Sequence, residues 1–213
     1  MLIIFDCDGV LIDSERILNE IFRESLGRIG LELTLEETIT HFKGRANDDC
    51  LRIAEELLGS SINAEEVIEH FERESLARFE KEIRAIPGIQ EALEKLPHPK
   101  CVASSSSHEH IFSGLEQTEL MPFFKREHVF SASQVERGKP APDLFLFAAN
   151  NLGVSPSECV VIEDSPAGIE GARAAGMKVL GYVDLTAEEE LVAAGASPFS
   201  DMRELPLLLK DLF

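Results

Sequence analysis

The sequence predicts an α/β protein built on a doubly wound parallel sheet and interrupted early by a block of helices. Three observations predict it. The apolar run Leu2-Ile-Ile-Phe5 ends abruptly in Asp6-Cys-Asp8-Gly9, which reads as a buried parallel strand delivering acids into a loop. From Pro87-Gly88 onward, short apolar runs alternate with helical patterns, and that alternation argues for parallel strands joined by helical crossovers. Between these regions, the chain from about residue 14 to residue 84 carries helical signals without a convincing strand.

Each element follows from its own residues. After Ser14, Ile17, Leu18, Ile21, Phe22, Leu26 and Ile29 recur at helical spacing, and Gly30 is a stop. Thr34-x-x-Glu37 is a capping box, Asn47 can cap a helix through Leu57 that Gly59 ends, and Asn63-x-x-Glu66 opens another helix around Val67, Phe71 and Phe79. Cys101-Val-Ala103 is the next strand, with a helix near His108 to Leu115 after it. His128-Val-Phe130 is a third strand, and a helix opened by Pro142 runs to about Asn151. Strand Cys159-Val-Val-Ile162, a helix opened by Ser165-Pro166, strand Lys178 to Val183 and a short helix from Pro206 to about Leu212 complete the series. Residues 1–13 and 87–213 therefore form the α/β core, and residues 14–86 form a helical insertion after the first strand.

Composition narrows the function. At 213 residues the chain can bury a sizeable core, as one large domain or a domain with an insertion. Lys and Arg total 20 against 39 Asp and Glu, a formal charge of −19, which repels polyanions and disfavours nucleic acid and anionic membranes as partners. No apolar run approaches a membrane span, and Met1 leads straight into a strand, so a cytoplasmic protein is expected. Cys7, Cys50, Cys101 and Cys159 show no paired spacing and read as small buried hydrophobes in a reducing compartment, with a zinc site or a cysteine nucleophile as alternatives. Oligomeric state leaves no mark on the sequence.

Asp6 and Asp8 carry the first chemical signal. Two carboxylates so close raise each other's pKa unless a cation intervenes. Magnesium suits the position, because it takes oxygen ligands from one or two carboxylates and leaves other positions to water and phosphate. The same residues also suit a plain turn, with Gly9 supplying positive φ.

Three later strand ends carry matching polar groups. Ser104-Ser105-Ser106 offers hydroxyls and backbone N–H groups before a helix, either a nest for phosphate oxygens or a simple cap. Gly138-Lys139-Pro-Ala-Pro-Asp143 fixes a lysine in a stiff turn. Glu163-Asp164-Ser165-Pro166 puts a second acidic pair at the end of an apolar strand, where the pair would repel without a cation and where Asp164 or Ser165 could equally cap the helix.

Taken together, Asp6-Cys-Asp8-Gly9-Val, Val102-Ala-Ser104, Gly138-Lys139-Pro-x-Pro-Asp143 and Glu163-Asp164-Ser165-x-Ala-Gly168 resemble the haloacid dehalogenase (HAD) superfamily of phosphohydrolases. The nearest branch is that of β-phosphoglucomutase-like proteins and 6-phosphogluconate phosphatases, with a Rossmann-like core and an inserted helical cap. The resemblance implies that Asp6 is a nucleophile forming an aspartyl-phosphate and that Asp8 is the acid/base. It implies a magnesium ion held by Asp6, the Asp8 backbone carbonyl and Asp164, with Glu163 as a further ligand or a neighbour of one. Ser104 and Lys139 would hold phosphoryl oxygens, with Ser105 and Ser106 beside them at the substrate.

The same branch carries a cap loop of the form Phe42-Lys43-Gly44, and this implies substrate contacts from Lys43, Gly44 and Arg45, with His41 and Asn47 behind them. An ordinary helix–helix connection fits that segment too. Mutases of the branch place a histidine where this chain has Leu18, and an arginine where it has Asn47. The expected function is therefore magnesium-dependent hydrolysis of a small sugar or sugar-acid phosphate. The alternatives are a sugar-phosphate mutase and a catalytically silent domain that binds a phosphate ligand. A small phosphorylated metabolite is the expected partner in each case.

Overall fold

The computed structural model describes residues 1–42 and 47–212, apart from the side chains of residues 47–49, 76, 80 and 211. Two compact units divide the chain, Met1–Asp13 with Arg84–Phe213, and Ser14–Ile83. The second unit is helical: α1 (Ser14–Arg28), α2 (Leu35–Phe42), α3 (Asn47–Leu58) and α4 (Ala64–Glu82). The capping signals at Thr34 and Asn63 form as the sequence predicts, and the side chain of Asn47, the third expected cap, lies outside the described residues. The Thr34 hydroxyl accepts the Glu37 N–H, and the Glu37 carboxylate accepts the Thr34 N–H; Asn63 accepts from Glu66. The apolar face of α1 is buried within this unit, with Leu26 packed among Leu31, Phe42, Ala54 and Val67. Phe22 stands edge-on to both Phe42 and Phe71, an arrangement that favours ring quadrupoles as well as burial.

The first unit holds six parallel strands: β1 (Leu2–Phe5), β2 (Lys100–Ser104), β3 (Val129–Ser131), β4 (Cys159–Glu163), β5 (Lys178–Tyr182) and β6 (Ser197–Phe199). Their order is β3-β2-β1-β4-β5-β6, so the chain reverses its direction of travel at β1. Every residue of β1 and of β4 is buried, which is why these strands read as unbroken apolar runs rather than alternating ones. Among the described residues, six α-helices accompany the sheet: α5 (Ile89–Lys95), α6 (His108–Gln117), α7 (Asp143–Asn151), α8 (Pro166–Ala174), α9 (Glu188–Ala194) and α10 (Leu205–Asp211). On one face, Leu2, Ile4, Ala103 and Val161 pack with Phe145, Ile169 and Leu191.

The register decides where the strands deliver their ends. Phe5 lies beside Val102 on one side and Ile162 on the other, so Asp6, Ser104 and Glu163 emerge at a single edge. Open α/β sheets bind ligands at that edge, where the strand order reverses. Arg84 to Ile86 belong with the sheet because they pair with the outgoing chain. The Asp13 N–H donates to the Arg84 carbonyl, and the Ile86 N–H donates to the Leu11 carbonyl.

Several elements differ from expectation. The third strand is Val129–Ser131, one residue later than expected, because Arg126–His128 form a single 3-10 turn closed by the His128 N–H on the Lys125 carbonyl. Helices α5 and α9 and strand β6 carry no expected counterpart. Each helix is only seven residues long, too short to establish a periodicity. In β6, Pro198 stands within a three-residue strand, which an edge position tolerates and a sequence pattern reads as a turn.

Candidate active site

The loop after β1 builds the first part of the site. The Asp6 N–H still donates to Ile162 in β4, so the residue is fixed by the sheet. The chain then closes a tight turn in which the Leu11 and Ile12 N–H groups both donate to the Cys7 carbonyl at 2.8 and 3.0 Å. Gly9 adopts φ +79°, and a Cβ there would stand 2.3 Å from Asp164 Oδ2. Positive φ and the close approach of that carboxylate both require glycine at this position.

Lys139 joins the two acidic strand ends. Its ammonium donates to Asp6 Oδ1 at 2.5 Å and to Glu163 Oε1 at 2.7 Å, 5.2 Å above the ring centroid of Phe145. The lysine side chain is 6% exposed, so these are charge-assisted bonds largely shielded from water. Glu163 is saturated from its other side as well. Its Oε2 accepts the N–H groups of Asp164 and Ser165 and the Ser165 hydroxyl at 2.9–3.0 Å. A Cβ on Gly168 would fall 1.8 Å from Glu163 Oε1, so the glycine in the first turn of α8 makes room for this carboxylate.

The charges conflict. Burial drives the Asp6 carboxyl upward; Lys139 opposes that rise, but Glu163, Asp164 and Asp8 add to it, and the pKa stands well above the usual carboxylate value. Burial pushes Lys139 down, yet Asp6 and Glu163 more than compensate and hold it charged. Asp6, Glu163 and Asp164 are buried, and each offers an oxygen, all within 4.8 Å of one another. An all-oxygen set with surplus negative charge fits a hard divalent cation such as magnesium. Cys7 lies between the two aspartates, but burial and the negative charges of Asp8 and Asp6 push its thiol far up, which suits a buried hydrophobe rather than a nucleophile.

Asp8 is held by a different set of side chains. Ser106 Oγ donates to Asp8 Oδ2 at 2.7 Å, Ser104 Oγ lies 3.5 Å from the same oxygen, and His110 Nε2 lies 2.9 Å from Oδ1. Burial lowers the His110 pKa, but the hydrogen bond to Asp8 and its charge outweigh that effect and leave the imidazole above the ordinary histidine value. The Ser106 carbonyl accepts from Ser131 Oγ at 2.7 Å, and Ser131, at the end of β3, is fully buried.

The structure thus gathers Asp6, Lys139, Glu163 and Asp164 on one side of the Asp8 loop, and Ser104 and Ser106 against Asp8. Ser105, on the same turn, is exposed. His41 lies in α2; Lys43, Gly44, Arg45 and the side chain of Asn47 lie outside the described residues. Sequence reasoning missed His110 and Ser131. One signal was available for His110: it occupies the first turn of α6, where the positive end of the helix dipole disfavours a group that can carry positive charge.

The sequence pattern described as haloacid dehalogenase-like hydrolase matches residues 3–182. The 6-phosphogluconate phosphatase of Escherichia coli is 29% identical over 209 residues, covering 98% of this chain and 94% of that one. A fructose-1-phosphate phosphatase from the same organism is 32% identical over 187 residues, covering 82% and 92%. The crystal structure of a HAD family hydrolase from Deinococcus radiodurans with bound phosphate and sodium superposes with a TM-score of 0.90 at 30% identity, covering 99% of this chain and 95% of that one. Among the described residues, no helix is long and apolar enough to cross a membrane.

Proposed function

The chain belongs to the haloacid dehalogenase-like hydrolases, and from that premise we propose that it is a magnesium-dependent phosphomonoesterase acting on a small sugar or sugar-acid phosphate through an aspartyl-phosphate on Asp6. The observation that carries this reading is a buried Asp6 bonded to Lys139, with oxygens of Glu163 and Asp164 within 4.8 Å of its own. That cluster supplies a nucleophile, a fixed cation and a cation-binding oxygen set at one sheet edge.

Asp6, Asp164 and the Asp8 backbone carbonyl would hold magnesium, with Glu163, already engaged by Lys139, as a neighbour or a further ligand. The ion supplies positive charge that offsets the clustered carboxylates and the phosphoryl group. In the first half-reaction an Asp6 carboxylate oxygen forms a bond to phosphorus as the bond to the leaving oxygen breaks, and Asp8 gives its proton to that oxygen. In the second, Asp8 takes a proton from water, the water oxygen bonds to phosphorus, and the bond to Asp6 breaks to release inorganic phosphate. Ser104 and Lys139 hold phosphoryl oxygens while the attacking and leaving groups line up.

A sugar-type ester is favoured by the relatives named for 6-phosphogluconate and fructose 1-phosphate. Lys43, Gly44, Arg45, Asn47, Ser105 and Ser106 are the proposed substrate contacts. Leu18 stands in α1 where the mutase branch carries a histidine, and this supports hydrolysis over phosphoryl shuttling. We place the reaction in the cytoplasm on the same reading.

Release of inorganic phosphate across a panel of sugar and sugar-acid phosphates tests the proposal, with and without magnesium. Turnover that needs magnesium and falls at least about a thousandfold in Asp6→Asn is the expected result, the scale of losing a covalent nucleophile. Full activity in that variant would overturn the nucleophile. Isomer interconversion stimulated by a bisphosphate primer would replace hydrolysis with the mutase.

A further inference from the structure

The Asp8 carboxylate is braced from two elements that the family motifs do not mention. His110 occupies the first turn of α6, and its N–H donates to the side chain of Ser107, the cap of that helix, at 3.3 Å. The imidazole therefore starts from a fixed backbone. Ser106 is fixed from the other side, because its carbonyl accepts from the buried Ser131 hydroxyl at the end of β3. The two residues reach different oxygens of Asp8, His110 to Oδ1 at 2.9 Å and Ser106 to Oδ2 at 2.7 Å. A carboxylate gripped at both oxygens from two directions loses its rotation about the terminal torsion, which is otherwise broad for aspartate.

We propose that His110 is a positioning residue for the reaction, its Nε2–H donating to Asp8 Oδ1 so that the exchangeable proton of Asp8 is carried by Oδ2, on the side of Ser104 and Ser106. The inference rests on the acid/base role of Asp8 and deepens it. Proton transfer requires the donor oxygen within hydrogen-bond reach of the leaving oxygen. An unbraced Asp8 would present either oxygen at many angles, and a displacement of about 1 Å is enough to cost on the order of a hundredfold in rate. His110 touches neither phosphorus nor the leaving group and acts only through Asp8.

The test uses leaving groups that differ in their need for a proton while sharing one shape. Phenyl phosphate expels a phenolate that gains much from protonation, and p-nitrophenyl phosphate expels one that gains little. The readout is kcat/KM, which reports the first half-reaction. In His110→Ala we expect kcat/KM to fall roughly tenfold or more on phenyl phosphate and less than about threefold on p-nitrophenyl phosphate. His110→Gln, whose amide N–H can reach Asp8, recovers most of the loss and keeps the proposal falsifiable should the alanine variant fail to fold. Asp8→Asn shows the same split more strongly, and the double variant Asp8→Asn with His110→Ala is no worse than Asp8→Asn alone.

Equal losses on both esters in His110→Ala, or additive losses in the double variant, would overturn the positioning role while leaving the acid/base role of Asp8 standing. Absence of a split in Asp8→Asn would overturn that acid/base role, and with it the part given to His110.

Discussion

The two units of the chain handle their acids in opposite ways. In the helical unit, several carboxylates at or near the surface are neutralised where they stand. Arg78 bonds Glu24 through one terminal nitrogen and Glu82 through Nε and the other at 2.8–2.9 Å. Arg23 holds the Glu20 carboxyl below the usual range through its hydrogen bond, and the Thr34 N–H does the same for Glu37. In the sheet unit, Asp6 is buried among Asp8, Glu163 and Asp164 with Lys139 as the cation bonded to it, and its carboxyl is driven above that range. Identical functional groups thus contribute stability in one unit and store repulsion in the other. Burial and the ratio of cations to anions set the sign, and stored repulsion is what a cation or a phosphoryl-transfer site can use.

The sharpest way to break the comparison is to remove the central cation from each unit. Lys139→Met leaves Asp6 and Glu163 as buried carboxylates without their shared ammonium, a change that costs about 3–5 kcal/mol when one partner of a buried pair is deleted. Arg78→Met removes pairs whose carboxylates are 38% and 43% exposed, and such pairs are worth about 0.2–1 kcal/mol. Urea unfolding of the metal-free protein measures both. Equal losses would show that the sheet unit stores no conflict.

A smaller contrast separates the glycines. In Gly168→Ala the new methyl group would lie 1.8 Å from Glu163 Oε1, so the carboxylate must move and release Lys139 and the Ser165 cap with it. Overpacking of this kind costs about 1–3 kcal/mol, and phosphate release should fall at least about tenfold as the site loosens. In the helical unit, Gly59 has φ +72°, and a methyl group placed there would meet nothing within 4 Å, so Gly59→Ala carries only the left-handed strain of about 1–2 kcal/mol. Its rate of phosphate release stays at the wild-type value. Melting curves and a phosphate assay on the two variants separate the outcomes, and a fully active Gly168→Ala would remove Glu163 from the working site.

How much of this was legible in the sequence depends on whether a residue's environment is local. Asp6, Asp8, Glu163 and Asp164 could be read because unbroken apolar runs ended in acids, and both the run and its end are local patterns. Lys139 could be read because the prolines that follow it stiffen the turn. Ser131 could not, and His110 only through its place at a helix start, because their roles exist only once β2 and β3 are in register, Ser104 beside Ser131, and α6 has been capped by Ser107. The division into a sheet and a helical block was visible in the change of period. The short elements α5, α9 and β6 were not: unlike α10, which a proline opens, or β1, which ends in acids, they carry no such local mark, and their stability comes from tertiary burial of residues such as Ile89, Leu191 and Phe199.

The smallest expected effect concerns the nucleophile itself. A carboxyl whose pKa is raised on folding favours the protonated folded state, so its contribution to stability is fully present below the unfolded aspartate value of about 3.9 and is lost as pH rises through the folded value. For Asp6 the direction is upward; the metal-free protein should therefore lose stability relative to Asp6→Asn as pH rises from the acid range toward neutrality. At neutral pH the neutral amide should raise the Tm of the metal-free protein. Magnesium should stabilise the wild type more than the variant, because the ion favours the ionised carboxylate and an uncharged amide in its place would offer the ion no charge. A Tm for Asp6→Asn that lies below the wild type at every pH would mean that the Lys139 pair outweighs the repulsion. The two units would then treat their acids alike.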